Sequence, residues 1–482
     1  MVFSLFMKKR AGVLMKLISH IIVSCLVIGM AIFSSIFINS NTTYQGYELL
    51  YILPLLYMVL FILILSPLLF YRFNTFLMSY TLVTFLRYLI LPFLIVKSGW
   101  YIGRSPVDPM ASSFSTALLL MMWELILTTA AIAFFFSRKK ILRIEPSVKT
   151  TVELPQSIFI YVVYILMSFV VLAAVPEALN SFAFFMPRDN MIDIGMGGFK
   201  ISIVQFILIT AKYLIFLLMM MLLYRRYERT KGTIWIWLSF GAVLLNIMII
   251  FGDNRSDFLI SAIASLYLFY RLFLKRSLPF IFSTVVLVFI VFMNITTYRN
   301  TTSITGGENR LTDLTDMLQI YAGGPYNVAM AIELPSYFPN AATIGNFIYD
   351  LGRPIIGLNV FFRELQGFEF SNYLYNYRIY FSDHVSQIIP IVGQGNLYMG
   401  FLFAPLLNVT FVALAYILYK IMCRQNQIEL IFFLTIPITR IGFMMGQNAG
   451  ILLNDISFIL VLNITLYLLN HYVVLRRKGL VT

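Results

Sequence analysis

Long apolar runs, each of about 20 residues, constrain this chain more than any other feature of its sequence. When helical, a run of this length matches the thickness of the hydrocarbon core of a bilayer. A helix also satisfies its own backbone polar groups, which have no water to bond inside lipid. We therefore predict an all-α polytopic membrane protein with about 12 transmembrane helices. The predicted spans cover residues 15–38, 50–71, 73–96, 112–136, 156–176, 201–223, 233–252, 256–274, 279–296, 397–420, 427–446 and 449–471.

Composition agrees with a membrane protein and argues against other classes. Of the 482 residues, 60% are hydrophobic and 12% are charged, against about 25% charged in soluble domains. The net charge of +14 is concentrated in short loops beside helix ends, which indicates contact with anionic membrane lipid and no nucleic-acid partner. Cys25 and Cys423 fall in the first predicted helix and at a later helix end, so they form neither a disulfide framework nor a metal site.

The basic residues also predict the orientation of the chain. Of 35 Lys and Arg residues, 22 fall in the N-terminus, the C-terminal tail and the alternate loops of the same side. Five fall in the short loops of the other side. Because loops rich in Lys and Arg stay in the cytoplasm, both termini are predicted to be cytoplasmic. The first apolar run is too long for the apolar core of a signal peptide, so we expect it to be retained as a membrane anchor.

One long polar stretch divides the predicted chain into three parts. Residues 1–296 carry transmembrane helices 1–9, and residues 297–392 form one large outer loop with interfacial helices. Residues 393–482 carry helices 10–12 and the cytoplasmic tail. The three parts are expected to form one integrated domain. Within the loop, we expect the interfacial helix at 311–334 to break at Gly323-Gly-Pro325, because glycine and proline interrupt helices.

Ionisable side chains inside predicted membrane helices are costly and need a partner or a watery cavity. Arg87 and Glu124 lie at similar depths, roughly 15–18 Å below the outer surface, which favours a structural ion pair. Arg440 and Asp455 lie only roughly 9 Å below that surface, where either a second ion pair or contact with a lipid diphosphate is expected. Lys212, at about the depth of the first pair, leaves a transport path open as an alternative.

Arginines at the outer surface indicate an anionic ligand. Arg255, Arg299 and Arg440 lie at or just below the outer interface on different predicted helices, and we predict that they form a ring. Guanidinium groups bind phosphate in bidentate fashion and keep their charge in sites where a lysine can lose its proton. A lipid diphosphate needs such contacts most when it gains charge as a leaving group.

The outer loop combines residue types that suit an anionic lipid-linked sugar. It holds five arginines, one histidine and no lysine. Tyr373, Tyr377 and Arg378 are candidates for contact with sugar rings, although tyrosine also gathers at membrane interfaces. His384 can accept a proton from a sugar hydroxyl, with Asp383 as its sequence neighbour, and a solvated loop histidine is the alternative. No metal-binding pattern and no phosphate-binding glycine loop occurs, so an enzyme is expected to be metal-independent and to use no cofactor.

Between about residues 245 and 470, short motifs follow one another in a particular order. They are Gly252-Asp-Asn-Arg255, Tyr298-Arg299, Gly352-Arg-Pro354 with Leu358-Asn359, Asn372-Tyr373 followed by His384, Gly395-Asn-Leu-Tyr-Met-Gly400, and Arg440 with Asp455. In order and topology they resemble the bacterial Wzy-type oligosaccharide repeat-unit polymerases, a family with O-antigen and enterobacterial common antigen-like members. The first half of the chain matches only as membrane helices.

The resemblance implies a membrane fold of the lipid-sugar glycosyltransferase type in the bacterial cytoplasmic membrane, with the loop on the periplasmic or extracellular side. It implies a polymerase whose substrate is an undecaprenyl-diphosphate-linked oligosaccharide repeat unit. A chain-length regulator and a flippase are the implied partners. The site residues implied by the resemblance are His384 and Arg299 for catalysis, and Arg255, Arg353 and Arg440 for the diphosphates. Arg310 of the outer loop is a further candidate for the diphosphates.

Two alternatives remain open from the sequence. An O-antigen-type ligase, which hands a finished chain to another acceptor, shares the helices and the loop histidine. A polysaccharide flippase or secondary transporter would instead line a path at the membrane midplane with charged residues. The long outer loop and the lack of an inverted repeat favour an enzyme over a transporter.

Overall fold

Helices dominate the part of the chain that the structure describes. The structure is a computed structural model, and it describes residues 2–71, 74–137, 152–185, 198–251, 255–299, 305, 308–362, 365, 367–383 and 386–477.

The chain divides into two compact units. The first comprises Met1–Arg143, Ser303–Ile417 and Arg440–Asp455, and the second comprises Ile144–Thr302, Leu418–Thr439 and Ile456–Thr482. Each unit therefore joins segments that are distant in sequence. The predicted outer loop belongs almost entirely to the first unit, together with the N-terminal helices.

The helices of the described residues are numbered here in chain order. The N-terminal helices are α1 (Val2–Ser40), α2 (Ile52–Leu60), α3 (Ser66–Tyr71), α4 (Thr75–Phe85), α5 (Leu91–Lys97) and α6 (Ala111–Phe135). The next group is α7 (Phe159–Ala174), α8 (Gly198–Thr230), α9 (Thr233–Met248), α10 (Arg255–Phe273) and α11 (Leu278–Arg299). The outer segment forms α12 (Arg310–Ala322), α13 (Pro325–Ile332), α14 (Leu334–Tyr337), α15 (Ile344–Gly352), α16 (Asn359–Phe362) and α17 (Ser371–Tyr380). The C-terminal helices are α18 (Ile391–Phe403), α19 (Leu406–Arg424), α20 (Ile428–Gly442), α21 (Ala449–Phe458) and α22 (Ile464–Arg477).

Eight helical stretches of the described residues are long and apolar enough to cross a membrane. They are Leu17–Ser40, Ile52–Phe70, Thr75–Lys97, Ala111–Phe135, Lys200–Thr230, Phe258–Val288, Leu406–Arg424 and Ala449–Leu475. This confirms the predicted class, an all-α polytopic membrane protein. The predicted spans at 156–176 and 233–252 form shorter apolar helices, α7 and α9, of 16 residues each. The predicted spans at 256–274 and 279–296 form α10 and α11, joined by the 3₁₀ turn Leu274–Ser277.

Two π-helical turns of the first unit have prolines as their local cause. The turns are Phe61–Leu65 and Leu86–Ile90, and Pro67 and Pro92 each follow two residues later. A proline ring clashes with the carbonyl four residues before it and has no N–H to donate, and a wider turn accommodates both effects. The second turn contains Arg87, so this buried arginine lies where its helix is locally widened.

The outer segment is packed into the first unit. Helix α12 ends at Ala322, Gly323 follows with φ +65°, and α13 begins at Pro325. This confirms the predicted helix break, and it places glycine where the left-handed backbone favours it. Every residue of α13 from 325 to 331 is buried, which a freely solvated loop does not show.

A small antiparallel sheet interrupts the helices of the second unit. Strand β1 (Phe182–Phe184) pairs with β2 (Ile249–Phe251), and the rings of Phe182 and Phe251 lie 4.7 Å apart. Strand β2 follows directly on α9, so the chain leaves the helical conformation there. The Lys212 ammonium donates a 2.7 Å hydrogen bond to the carbonyl oxygen of Ile249, which satisfies a backbone group that the helix no longer bonds.

Candidate diphosphate-binding site

Arg353 follows the last turn of α15, and aromatic rings hold its side chain. Its guanidinium carbon lies 3.8 Å from the centroid of the Phe370 ring and 5.9 Å from that of Tyr349. The side chain is half-buried, and its Nε has no hydrogen-bond partner among the residues that the structure describes. No carboxylate of the described residues forms an ion pair with it. The ring face stabilises the cation, and no carboxylate among the described residues neutralises its charge.

Asp350, one helical turn before Arg353, joins three helices. Its Oδ2 accepts hydrogen bonds from the Ser371 hydroxyl at 2.5 Å, from the Gln394 amide at 2.8 Å and from the Tyr398 hydroxyl at 3.1 Å. These donors lie on α17 and α18, whereas Asp350 lies on α15. A buried carboxylate needs such donors, and by accepting them Asp350 fixes the end of the helix that carries Arg353.

The same network reaches the start of α21. The Gln394 side-chain oxygen accepts from the backbone N–H of Ala449 at 2.8 Å. The Asn448 side-chain amide donates to the side-chain oxygen of Asn372 at 3.2 Å. Four elements, α15, α17, α18 and α21, are thus connected by buried or half-buried polar side chains. Sequence reasoning missed Asp350, Gln394 and Asn448, because amides and a single carboxylate carry no recognisable spacing.

Arg440 forms an ion pair with Asp455. The distance from Arg440 Nη2 to Asp455 Oδ2 is 2.5 Å, and Arg440 is buried while Asp455 is partly exposed. The predicted pair is therefore present within the first unit. The Asp455 carboxylate competes with any phosphate for the Arg440 guanidinium, so the geometry favours pairing as the main role of Arg440.

The other predicted site arginines, two of them from the predicted ring, lie in different settings. Arg255 is the first residue of α10 and Arg299 the last of α11, both in the second unit, and their side chains lie outside the described part of the structure. Arg310 is exposed in the first turn of α12. The ring itself is therefore not a feature that the described residues establish, and it stays a prediction.

His384 lies outside the described residues, but the chain on both sides of it is bonded to α17. The Tyr373 hydroxyl donates to the Asp383 carboxylate at 2.8 Å, and the hydrogen bond and the negative charge raise the pKa of Tyr373. The Asn376 side-chain oxygen accepts from the backbone N–H groups of Ser386 and Gln387 at 2.9 and 2.8 Å. The described residues on both sides of the predicted base are therefore anchored to α17.

Arg378 is almost fully buried and is not available to a sugar. It is 1% exposed, and its Nη2 and Nε lie 2.5 and 3.0 Å from Glu333 Oε2. The other Glu333 oxygen accepts from Ser113 Oγ at 2.9 Å and from the Met110 N–H at 2.7 Å. This arrangement gives Arg378 a structural role in place of the predicted sugar contact. Tyr377 is exposed on the same helix.

Two further ion pairs brace the first unit. Arg87 and Glu124 are both fully buried, with Nη2 and Oε2 2.8 Å apart, which confirms the predicted pair. The Asn408 amide donates to Glu124 at 2.8 Å, so the carboxylate is well satisfied. The second pair, Arg104 with Asp316, was not predicted, because its partners lie 212 positions apart in the sequence.

Comparison with known proteins adds no further assignment: no family model, curated protein or solved structure matches the chain. Among the described residues, no group of three His, Cys, Asp or Glu side chains is placed to hold a metal ion. Arg353 and its surroundings define the chemistry of the candidate site.

Proposed function

We propose that this chain is a polymerase of undecaprenyl-diphosphate-linked oligosaccharide repeat units, a glycosyltransferase of the cytoplasmic membrane. The observation that carries the proposal is the Arg353 guanidinium, which rests on the Phe370 ring and has no carboxylate partner among the described residues. A half-buried cation of this kind is best stabilised by an anion that arrives with the substrate.

Four other arginines of the first unit do not share this feature. Arg87, Arg104, Arg378 and Arg440 each form an ion pair with a carboxylate. Their charge is neutralised within the protein, and their removal would affect folding before it affected a ligand. Arg353 differs from all four, and unlike the exposed Arg310 it is held against an aromatic ring, so we assign it to the diphosphate.

The proposed reaction is a direct displacement with inversion at the anomeric carbon. A hydroxyl of the new repeat unit attacks the anomeric carbon of the growing glycan, and the bond from that carbon to the diphosphate oxygen breaks. The hydroxyl proton passes to His384, and the lipid diphosphate leaves with its added charge met by Arg353. The sequence carries no metal-binding pattern, so we propose a metal-independent transfer.

The proposal includes a topology. The chain would cross the membrane about 12 times, with both termini in the cytoplasm and the outer segment in the periplasm or outside the cell, as the asymmetry of Lys and Arg predicts. A flippase would supply the lipid-linked repeat unit on that face. A chain-length regulator would be a second partner.

A transporter is less well supported than an enzyme, because the charged side chains in the predicted membrane helices are bonded to other groups of the protein. Arg87 and Glu124 bind each other away from water, and the Lys212 ammonium binds the Ile249 carbonyl. These contacts are typical of groups that hold helices in place. A ligase of the O-antigen type would use the same candidate site, so it is separated from a polymerase by its product.

The test is a deletion strain that expresses the wild-type chain or one of three variants at equal abundance. The variants are Arg353→Ala, His384→Ala and, as a matched control, Arg226→Ala, which removes an exposed arginine in the last turns of α8. We expect Arg353→Ala and His384→Ala to lower polymer yield at least about tenfold, the equivalent of about 1.4 kcal/mol, while Arg226→Ala matches wild type.

The outcome is measured from gel profiles of the surface glycan and of the lipid-linked intermediates. Single repeat units that accumulate on the lipid carrier in the deletion strain support a polymerase. Full-length polymer that remains on its carrier identifies a ligase. Unchanged polymer in the deletion strain contradicts both, and unchanged polymer with Arg353→Ala contradicts the assignment of Arg353.

A further inference from the structure

A small polar cavity lies in the second unit, where α20 begins and α22 runs past it. Its volume is about 70 Å³. The residues that line it include Glu153, Gln427, Glu429, Tyr467, Asn470 and His471. The cavity is made of different residues from the candidate site of the first unit, and its chemistry is independent of the proposed polymerase activity.

Backbone and side-chain bonds build the walls of this cavity. The Glu153 N–H donates to the Asn426 carbonyl at 2.8 Å, and the Ile428 N–H donates to the Glu153 carbonyl at 3.1 Å. The Asn470 amide donates to the Ser157 carbonyl at 2.7 Å. The segment that precedes α7 is therefore fastened to both α20 and α22. These hydrogen bonds hold the walls of the cavity in place.

Two side-chain oxygens in the cavity wall lack hydrogen-bond partners within the described part of the chain. Glu429 is 3% exposed, and its Oε1 accepts from the Tyr161 hydroxyl at 3.3 Å while its Oε2 has no partner. Asn470 is 4% exposed, and its Oδ1 likewise has no partner. A buried carboxylate and a buried amide oxygen are both costly when they are left unbonded.

The described lining residues offer no positive side chain to balance Glu429. They include neither lysine nor arginine. The imidazole ring of His471 is exposed and stacks on Tyr467, with ring centroids 6.0 Å apart. The Tyr467 hydroxyl donates to the Gln427 side-chain oxygen, so its own oxygen keeps lone pairs that can serve a ligand.

We propose that this cavity binds one monovalent alkali cation through Glu429 Oε2 and Asn470 Oδ1. Carboxylate, amide and hydroxyl oxygens are ligands that hard cations prefer, and a single buried carboxylate balances a single positive charge. A divalent ion would leave one positive charge that Glu429, the one buried carboxylate among the described lining residues, does not balance. A water molecule needs roughly 10–15 Å³ of such space, so the cavity accommodates a cation with a few waters.

The test uses the purified full-length chain in detergent at neutral pH. Thermal unfolding is measured at equal ionic strength in sodium, potassium or N-methylglucamine chloride, the last being a cation too large for the cavity. Because a ligand that binds only the folded state stabilises it, we expect sodium or potassium to raise the unfolding midpoint in a saturable way by at least about 2 °C. Which of the two ions acts identifies the occupant.

Two variants localise the effect. Glu429→Gln keeps the shape of the side chain and removes the charge, and we expect it to lose the ion-dependent shift. Glu153→Gln removes the exposed carboxylate of the same cavity, and we expect it to keep the shift. If Glu429→Gln fails to fold, Asn470→Ala takes its place, with ion affinity expected to fall at least about tenfold, or about 1.4 kcal/mol.

Direct binding of radioactive sodium or rubidium to the wild-type chain provides a measurement that needs no variant. Saturable binding of about one ion per chain, lost with Glu429→Gln, supports the site. The absence of saturable binding and of any midpoint shift in the wild type would overturn it, and would mean that Glu429 is buried as the neutral acid. Binding that a folded Glu429→Gln chain retains would overturn the assignment of this cavity.

Discussion

At the scale of single residues, an ion pair inside the predicted membrane helices was easier to predict than the contacts of arginines in the outer segment. Arg87 and Glu124 stand out because their flanking residues are apolar, and a comparison of depths pairs them. From the sequence alone, Arg378 is expected to be an exposed cation of the outer loop. Its partner Glu333 lies 45 positions away on another helix, so no local pattern reveals the ion pair. The Arg353–Phe370 contact depends equally on tertiary packing. The sequence therefore predicted arginines in this segment but not which of them lacks a carboxylate partner among the described residues.

The role of Glu333 gives a prediction about stability. Glu333→Gln removes the charge that balances Arg378 and leaves a buried guanidinium without its carboxylate. We expect the free energy of unfolding to fall by about 3 to 5 kcal/mol, measured by thermal or denaturant unfolding of the purified chain. Glu308→Gln, which changes an exposed acid before α12, is the control and should stay within about 0.5 kcal/mol of wild type. An equal effect of both changes would mean that the pair contributes nothing specific.

At the scale of secondary-structure elements, apolar runs predicted where helices lie, and glycine and proline predicted one break correctly. The break at Gly323-Gly-Pro325 followed from backbone chemistry alone. The shortness of α7 and α9 did not follow in this way. Helix α7 gives way to the 3₁₀ turn Pro176–Ser181, and the apolar run of α9 continues into strand β2. Hydropathy measures how apolar a segment is, whereas helix ends also depend on packing and on hydrogen-bond partners.

Close approach of α12 to the turn Met444–Gly446 gives a prediction at this scale. A Cβ atom on Gly446 would lie 1.9 Å from the Tyr321 carbonyl oxygen. The same turn holds the Met445 carbonyl that accepts from Arg87 at 3.0 Å. We expect Gly446→Ala to destabilise the chain by about 1 to 3 kcal/mol, because the contact is backbone against backbone and cannot yield easily.

Gly241→Ala is the matched control for that measurement. Gly241 lies inside α9, and a Cβ atom there would meet nothing within 4 Å. Alanine favours a helix interior by about 0.5 to 1 kcal/mol over glycine, so the unfolding midpoint should stay or rise. A Gly446→Ala chain as stable as wild type would contradict the close approach of the two elements.

At the scale of the whole molecule, charge distribution predicts an orientation that the arrangement of helices does not test. The membrane class follows from the apolar runs, and eight helical stretches of the described residues agree with it. The division into two units could not be predicted, because each unit combines segments from distant parts of the chain. Only long-range packing creates such a division, and a single sequence does not encode it in any local pattern.

The orientation can be measured by cysteine labelling. Cys25 and Cys423 are replaced by serine, and single cysteines are introduced by Arg226→Cys and Arg310→Cys at exposed positions. We expect a membrane-impermeant maleimide to label the cysteine at 310 in cells whose cytoplasmic membrane is intact. The cysteine at 226 should react only after that membrane is permeabilised. The reverse pattern would invert the topology and remove the outer segment from the periplasmic face.

The most direct test of the central claim is reconstitution with the native lipid-linked repeat unit. The substrate is extracted from the deletion strain and mixed with purified chain in liposomes, and glycan length and released lipid diphosphate are measured together. The account predicts a ladder of polymer lengths with one lipid diphosphate released for each bond formed, lost with Arg353→Ala and retained with Arg226→Ala. Neither polymer nor released diphosphate from a folded, lipid-embedded wild-type chain would contradict it.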